Sequence, residues 1–178
     1  MITIKHIENN NYEDAMRLKI DCWSDELAGI ATNTLILANE MGRWKKWMDE
    51  ASLYNDKRIT LCAFDGDELV GVVAASFSDE DGIENAIELN GLWVNNLYRG
   101  KNISIILLSN IINEFKENNI NKIIVYNLHT SPSNSYYRKL GFSVLRQVIQ
   151  KVNDVSLEVD LFYTHIETLN QIINKYNL

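Results

Sequence analysis

The sequence predicts an α/β sandwich, one mixed sheet with helices on both faces. Two observations carry this. Strand-like runs and amphipathic helical runs follow one another along the whole chain, with an Asp-Gly hairpin turn at Asp65-Gly66-Asp67 early in the series. The 178 residues contain no internal repeat or low-complexity linker, and their 46% hydrophobic and 23% charged content suits a soluble chain with a single core.

Thr3 to Ile7 alternates like a first strand, and Asn9-Asn10-Asn11 supplies the turn after it. Tyr12 to Trp23 has helical periodicity with Ala15, Leu18 and Cys22 on one face. Leu35 to Tyr54 reads as a second helix, striped by Met41, Trp44, Met48 and Ala51 as core residues. Ile59 to Phe64 and Glu68 to Phe77 are the arms of the hairpin, followed by the acidic loop Asp79-Glu80-Asp81-Gly82. Ala86 to Val94 is the next strand. Ile103 to Lys116 is the next helix, with Ile103, Ile106, Leu107, Ile111 and Phe115 as its buried stripe. Lys122 to Leu128 reads as a buried strand and Asn134 to Leu140 as a short helix carrying tyrosines. Phe142 to Lys151 and Val155 to Tyr163 pair as a closing hairpin. Thr164 with Glu167 fits a capping box, opening a last helix on Ile166, Leu169, Ile172, Ile173 and Tyr176. One domain spanning 1–178 is expected, closing on a C-terminal helical segment over 165–178.

Composition excludes several classes. A net charge of −7 argues against a nucleic-acid partner, which would want a basic face. No apolar run is long enough to span a membrane, and the amino terminus lacks a signal peptide's basic and apolar regions, so a cytoplasmic setting is expected. Cys22 and Cys62 have no metal or redox spacing and read as two buried thiols. His6, His129 and His165 are too scattered for a metal site, and none has a carboxylate partner at a telling spacing, so no metal is expected. Richness in Asn, Ile and Lys with a single proline is the profile of an AT-rich, bacterial-type genome.

Two segments carry chemistry. In Leu92-Trp93-Val94-Asn95-Asn96-Leu97-Tyr98-Arg99-Gly100-Lys101-Asn102-Ile103-Ser104 a strand gives way to a small-residue basic turn and then a helix. Such a turn directs backbone N–H groups outward at a helix N-terminus, where a phosphate can sit. Further on, Ser135-Tyr136-Tyr137-Arg138-Lys139-Leu140-Gly141-Phe142 is a short tyrosine-bearing helix stopped by glycine, with a strand after it. The pair, in this order, resembles the two signature motifs of the GCN5-related N-acetyltransferases, the GNAT superfamily. In the first motif, of the form Arg/Gln-x-x-Gly-x-Gly/Ala, Asn102 and Ser104 stand where the glycines belong. Asn tolerates positive φ and Ser is small, so close backbone approach is kept. In the second, Tyr137 falls on the motif tyrosine, Ser133 on its alanine, and Lys139, Gly141 and Phe142 in register, with His129-Thr130-Ser131-Pro132 as the preceding loop.

The resemblance implies a mostly antiparallel sheet whose two central parallel strands, Ala86–Val94 and Lys122–Leu128, splay at their carboxyl ends to admit the pantetheine arm of acetyl-CoA. It implies an N-acetyltransferase that moves an acetyl group to a primary amine in a ternary complex. Leu92, Trp93, Val94, Arg99, Gly100, Lys101, Asn102, Ile103, Ser104, His129, Ser133, Tyr136 and Tyr137 are the expected cofactor contacts. Tyr137 is the expected general acid. Tyr136 and His129 have alternative readings as a packing group and a surface group. Glu88, in mid-strand beside apolar neighbours, is the first choice of base, Glu84 the second, and water alone the third. The competing class is a non-catalytic CoA-binding or regulatory domain, favoured by the two replaced glycines. Asp25, Glu26, Asp79, Glu80, Asp81 and Glu84 gather in loops flanking the expected acceptor side, which suits a small or peptide-borne cationic amine. The chain is expected to act as a monomer or homodimer.

Overall fold

The computed structural model describes residues 1–27, 35–152 and 155–176; the side chains of Asp25 and Val152 also lie outside the described set. The strands are β1 (Ile2–His6), β2 (Ile59–Asp65), β3 (Glu68–Phe77), β4 (Ala86–Val94), β5 (Lys122–Leu128), β6 (Ser143–Val152) and β7 (Val155–His165). The helices are α1 (Tyr12–Glu26), α2 (Leu37–Asp49), α3 (Ile103–Phe115), α4 (Asn134–Lys139) and α5 (Ile166–Ile173). The strands form one seven-stranded sheet in the order β1-β2-β3-β4-β5-β7-β6. Every pairing is antiparallel except β4 with β5.

Helices cover both faces. α3 and α5 pack on one face, over Val73, Ile87, Ile123 and Phe162; α1 and α2 pack on the other, over Cys62, Val72, Ala74 and Trp93. This double cover explains why β3 is apolar at successive positions from Val70 to Ala75 rather than alternating. Fully buried Phe115 and Phe162 anchor the first layer, and truncating either to alanine would cost about 3–5 kcal/mol.

Four expectations need correction. The segment read as one helix from Leu35 to Tyr54 stops at Asp49, and Ala51–Tyr54 is a separate 3-10 turn closed by Asn55 at φ 49°. On α3, Ile105, Leu108 and Ile112 are buried while Ile106 is only half-buried. That helix packs on both the sheet and α5, so its buried arc is wider than a single stripe. Thr164 forms no capping box: it lies within β7, its hydroxyl donates to the Gly141 carbonyl at 2.9 Å, and His165 precedes α5 without a side-chain cap. Finally, Cys62 is buried as expected but Cys22 is only half-buried. α5 itself is well seated, with Leu169 and Ile173 buried, while Tyr176 beyond it is exposed.

Candidate active site

The site begins with a fault in the sheet. β4 and β5 pair only at Ala86 with Lys122, Ile87 with Ile123 and Glu88 with Ile124. Beyond that point β4 stays with β3 and β5 stays with β7, so the two parallel strands part. A bulge marks the spot: Ala74 faces Gly91 and Ala75 faces Leu89, leaving Asn90 as the extra residue. A bulge bends its strand and sharpens its twist, which turns the end of β4 away from β5. Backbone groups along both strands then lack a sheet partner across the gap.

The gap is a cavity of about 500 Å³. Leu89 to Val94 form one wall, Val125 to Leu128 the other, and Arg99, Gly100 and Asn102 to Ser104 close one end. The wall on β4 depends on Gly91, because a Cβ there would lie 2.3 Å from the Trp93 indole. Trp93 is buried in turn against Trp44, their rings 5.5 Å apart edge to face.

The loop at the closed end has the conformation that its residues suggested. Gly100 and Asn102 both have positive φ, 78° and 61°. Asn102 is the residue before α3, and its carbonyl accepts from the Ile106 N–H at 3.0 Å. The N–H groups of the first turn have no partner within the helix, and no acidic side chain lies in that turn. A positive pole faces the cavity there. Arg99 reinforces it, whereas the Lys101 ammonium lies over the Tyr98 ring, 4.3 Å from its centroid, and does not line the cavity.

Tyr136, Tyr137 and Ser133 line the cavity as well. Tyr137 is buried, its ring centroid 5.6 Å from Phe142 and 5.7 Å from Phe162. Burial pushes the phenol well above its ordinary pKa, and the neighbouring Tyr136 and Glu26 push the same way. The hydroxyl therefore stays protonated through neutral pH. The Tyr136 hydroxyl is buried beside Ser104 without a hydrogen bond of normal geometry; burial raises it to about 12.

Glu88 and His129 are not in the cavity lining. The Glu88 carboxylate accepts from Asn90 Nδ2 at 3.1 Å. Burial first, then the charges of Asp79 and Asp56, raise its pKa, opposed by the Asn90 hydrogen bond. Asn90 thus stands between Glu88 and the cavity, with its own Oδ1 buried and unpartnered. Glu84 is exposed and lines a separate shallow depression with Asp79, Glu80 and Asp81. The His129 ring is half-exposed, its Nδ1 2.9 Å from the buried Asp160 carboxylate. His6 likewise has a carboxylate beside it, Glu114 at 3.0 Å. Both partners lie on other elements, where sequence spacing carries no signal.

Sequence reading also missed cavity residues. Asn90 gave no sign because a bulge has no sequence signature in an apolar strand. Cys22 and Trp23 come from the end of α1, as does Glu26, which was expected in an acidic loop on the acceptor side; Tyr126, Asn127, Leu157 and Val159 come from β5 and β7. The Cys22 thiol donates to the Val94 carbonyl at 3.7 Å, bracing α1 against β4.

The architecture is shared with solved acetyltransferase structures. The ribosomal-protein-alanine N-acetyltransferase of Brucella melitensis aligns with a TM-score of 0.69 at 20% identity, covering 92% of this chain and 99% of that one. PaiA N-acetyltransferase of Thermoplasma acidophilum, in complex with coenzyme A, gives 0.69 at 21% identity over 93% and 99%. YncA of Salmonella typhimurium, with its cofactor acetyl-CoA, gives 0.66 at 16% identity over 93% and 94%. At these identities the likeness is one of fold. No curated protein matches by sequence. The model of the Acetyltransferase (GNAT) family matches residues 13–142, and the chain belongs to that family.

Proposed function

We propose that this chain is an acetyl-CoA-dependent N-acetyltransferase that moves the acetyl group to a primary amine by direct attack in a ternary complex. The observation that carries the reading is the cavity between the parted strands, with the first turn of α3 at one end and Tyr137 on its wall. The residues suit the cofactor. Asn102 already holds the left-handed conformation that the motif assigns to glycine, and the orphaned Tyr136 hydroxyl and Asn90 Oδ1 want partners. This weakens the main support for a non-catalytic CoA-binding domain. The reading treats 1–178 as one catalytic domain with 165–178 as an addition, working as a monomer or homodimer. Among the described residues no helix is long and apolar enough to cross a membrane. A cytoplasmic setting follows from the co-substrate and not from that absence.

When bound, acetyl-CoA supplies the activated acyl group. Backbone N–H groups of Gly100 to Ile105, with Arg99, hold its pyrophosphate, and the open edge of β4 from Leu92 to Val94 pairs with its pantetheine amides. Asn90 Oδ1 accepts from the attacking nitrogen and orients its lone pair at the acyl carbon. Glu88, its pKa raised by burial and by the charge of Asp79, takes up the nitrogen's proton through a water molecule. The Tyr137 hydroxyl gives a proton to sulfur as the carbon–sulfur bond breaks, so one proton leaves nitrogen and one reaches sulfur.

Calorimetric titration with acetyl-CoA followed by thiol release with a panel of primary amines tests the reading. Tight binding with turnover of at least one amine is the expected result. Binding without turnover on any amine would favour the non-catalytic class, and absence of binding would sink both. Within this frame Asn102→Gly is expected to hold or tighten acetyl-CoA affinity, since a left-handed residue with a side chain is strained by about 1 kcal/mol relative to glycine. A clear loss of affinity would show that the loop does not cradle the pyrophosphate by its backbone.

A further inference from the structure

Among the described residues only two charged ones line the cavity, and they carry opposite signs: Arg99 beside the first turn of α3, and Glu26. Glu26 is the last residue of α1. A carboxylate there sits at the negative pole of its own helix, an arrangement that disfavours folding. α1 has no basic residue in its last turn, and Glu26 has no ion-pair partner among the described residues. It is nonetheless half-buried and held in place.

The holding is specific. The Ser131 hydroxyl donates to Glu26 Oε2 at 2.9 Å. Ser131 Oγ lies 2.7 Å from Ser133 Oγ and accepts from the Ser133 N–H at 3.2 Å, while Asn127 Nδ2 donates to Ser133 Oγ at 2.8 Å. With Ser133 donating to Ser131, every hydroxyl in the series points its proton toward Glu26, as an ionised terminus requires. Burial raises both the Tyr137 phenol and the Cys22 thiol, and the nearby Glu26 carboxylate adds to each shift. Among the other acidic loop residues, Asp79, Glu80, Asp81 and Glu84 line the separate depression instead.

We propose that Glu26 is the acceptor-binding carboxylate: it takes the cationic nitrogen of an aliphatic amine substrate and so selects charged amines over neutral ones. The inference rests on the acetyltransferase reading above and concerns recognition alone. A carboxylate held at the negative end of a helix, with no cation beside it among the described residues, receives one from the substrate.

The test compares wild type with Glu26→Gln, Glu26→Asp and Ser131→Ala in the full chain, with spermidine as the cationic acceptor and aniline, uncharged at neutral pH, as the neutral one. Glu26→Gln should raise the spermidine KM by about 10- to 100-fold, with kcat and acetyl-CoA affinity within a few-fold of wild type. Glu26→Asp should restore part of the loss, Ser131→Ala should give a smaller rise, and the Tm of Glu26→Gln should match or exceed wild type. Added salt should raise the wild-type KM and leave that of Glu26→Gln nearly flat. An unchanged spermidine KM in Glu26→Gln overturns the inference and leaves the acetyltransferase reading standing; so does a wild type that prefers aniline. If Glu26→Gln fails to fold, an unchanged KM in Ser131→Ala overturns it. A wild type that does not bind acetyl-CoA overturns the reading itself and the inference with it.

Discussion

Replacing Gly141 with valine is expected to destabilise the fold by about 2–5 kcal/mol, combining left-handed strain with overpacking. Gly141 has φ 82°, which a β-branched residue adopts only with strain. Its surroundings leave no room: a Cβ would lie 2.9 Å from Thr168 Cγ2 and 3.1 Å from Ile172 Cδ1, both on α5. The turn is also fixed from the other side, where its carbonyl accepts from Thr164. For a chain of this size the loss corresponds to a fall in Tm of roughly 5–20 °C. Gly141→Ala should fall between valine and wild type. Urea or thermal unfolding measures both, and a valine variant within about 0.5 kcal/mol of wild type, the range of a neutral surface change, would mean that α5 does not pack over this turn. The result bears on function because Gly141 ends the segment that holds Tyr137, and the helix read from sequence as an addition is what clamps it.

The elements with strong periodicity were legible. β3, β4 and β5 have the bounds that their apolar runs indicate, and α3 begins at Ile103, where the basic turn stops. The Lys-x-Gly-Phe spacing picks out Tyr137 as the ring one helical turn after Ser133, and the Tyr137 N–H donates to the Ser133 carbonyl at 3.3 Å. Decisions made by tertiary competition were not legible. Thr164 has two partners open to it in sequence, the first turn of α5 and the Gly141 carbonyl, and the fold selects the second. Lys101 had the charge for a phosphate, but the Tyr98 ring takes it. Glu88 looked like a residue facing the cleft, yet the bulge sets Asn90 between the two. Cys22 reaches the cavity only because α1 ends against the gap between β4 and β5, a placement that no local pattern encodes.

Tyr137→Phe is expected to lower kcat by roughly 10- to 1000-fold, the range of a lost general acid, with acetyl-CoA affinity nearly unchanged. The change removes one oxygen and keeps the ring, whose packing against Phe142 and Phe162 holds the helix in place. Because burial raises this phenol, it remains protonated through neutral pH, and wild-type activity should show no alkaline loss near the ordinary tyrosine pKa of about 10 from this group. Tyr136→Phe supplies the contrast. Its hydroxyl is buried beside Ser104 and lacks a good partner, which under the proposed reading makes it a cofactor contact and not the donor to sulfur. That variant should change kcat by less than about 3-fold and act mainly on acetyl-CoA affinity, as loss of a binding contact does. Its unfolding free energy should stay equal or rise, since an unsatisfied buried hydroxyl is removed. Steady-state kinetics on both variants, with calorimetric affinity for acetyl-CoA, separates the roles. Wild-type turnover in Tyr137→Phe together with a crippled Tyr136→Phe would shift the general acid by one residue and place the sulfur at the Ser104 end of the cavity.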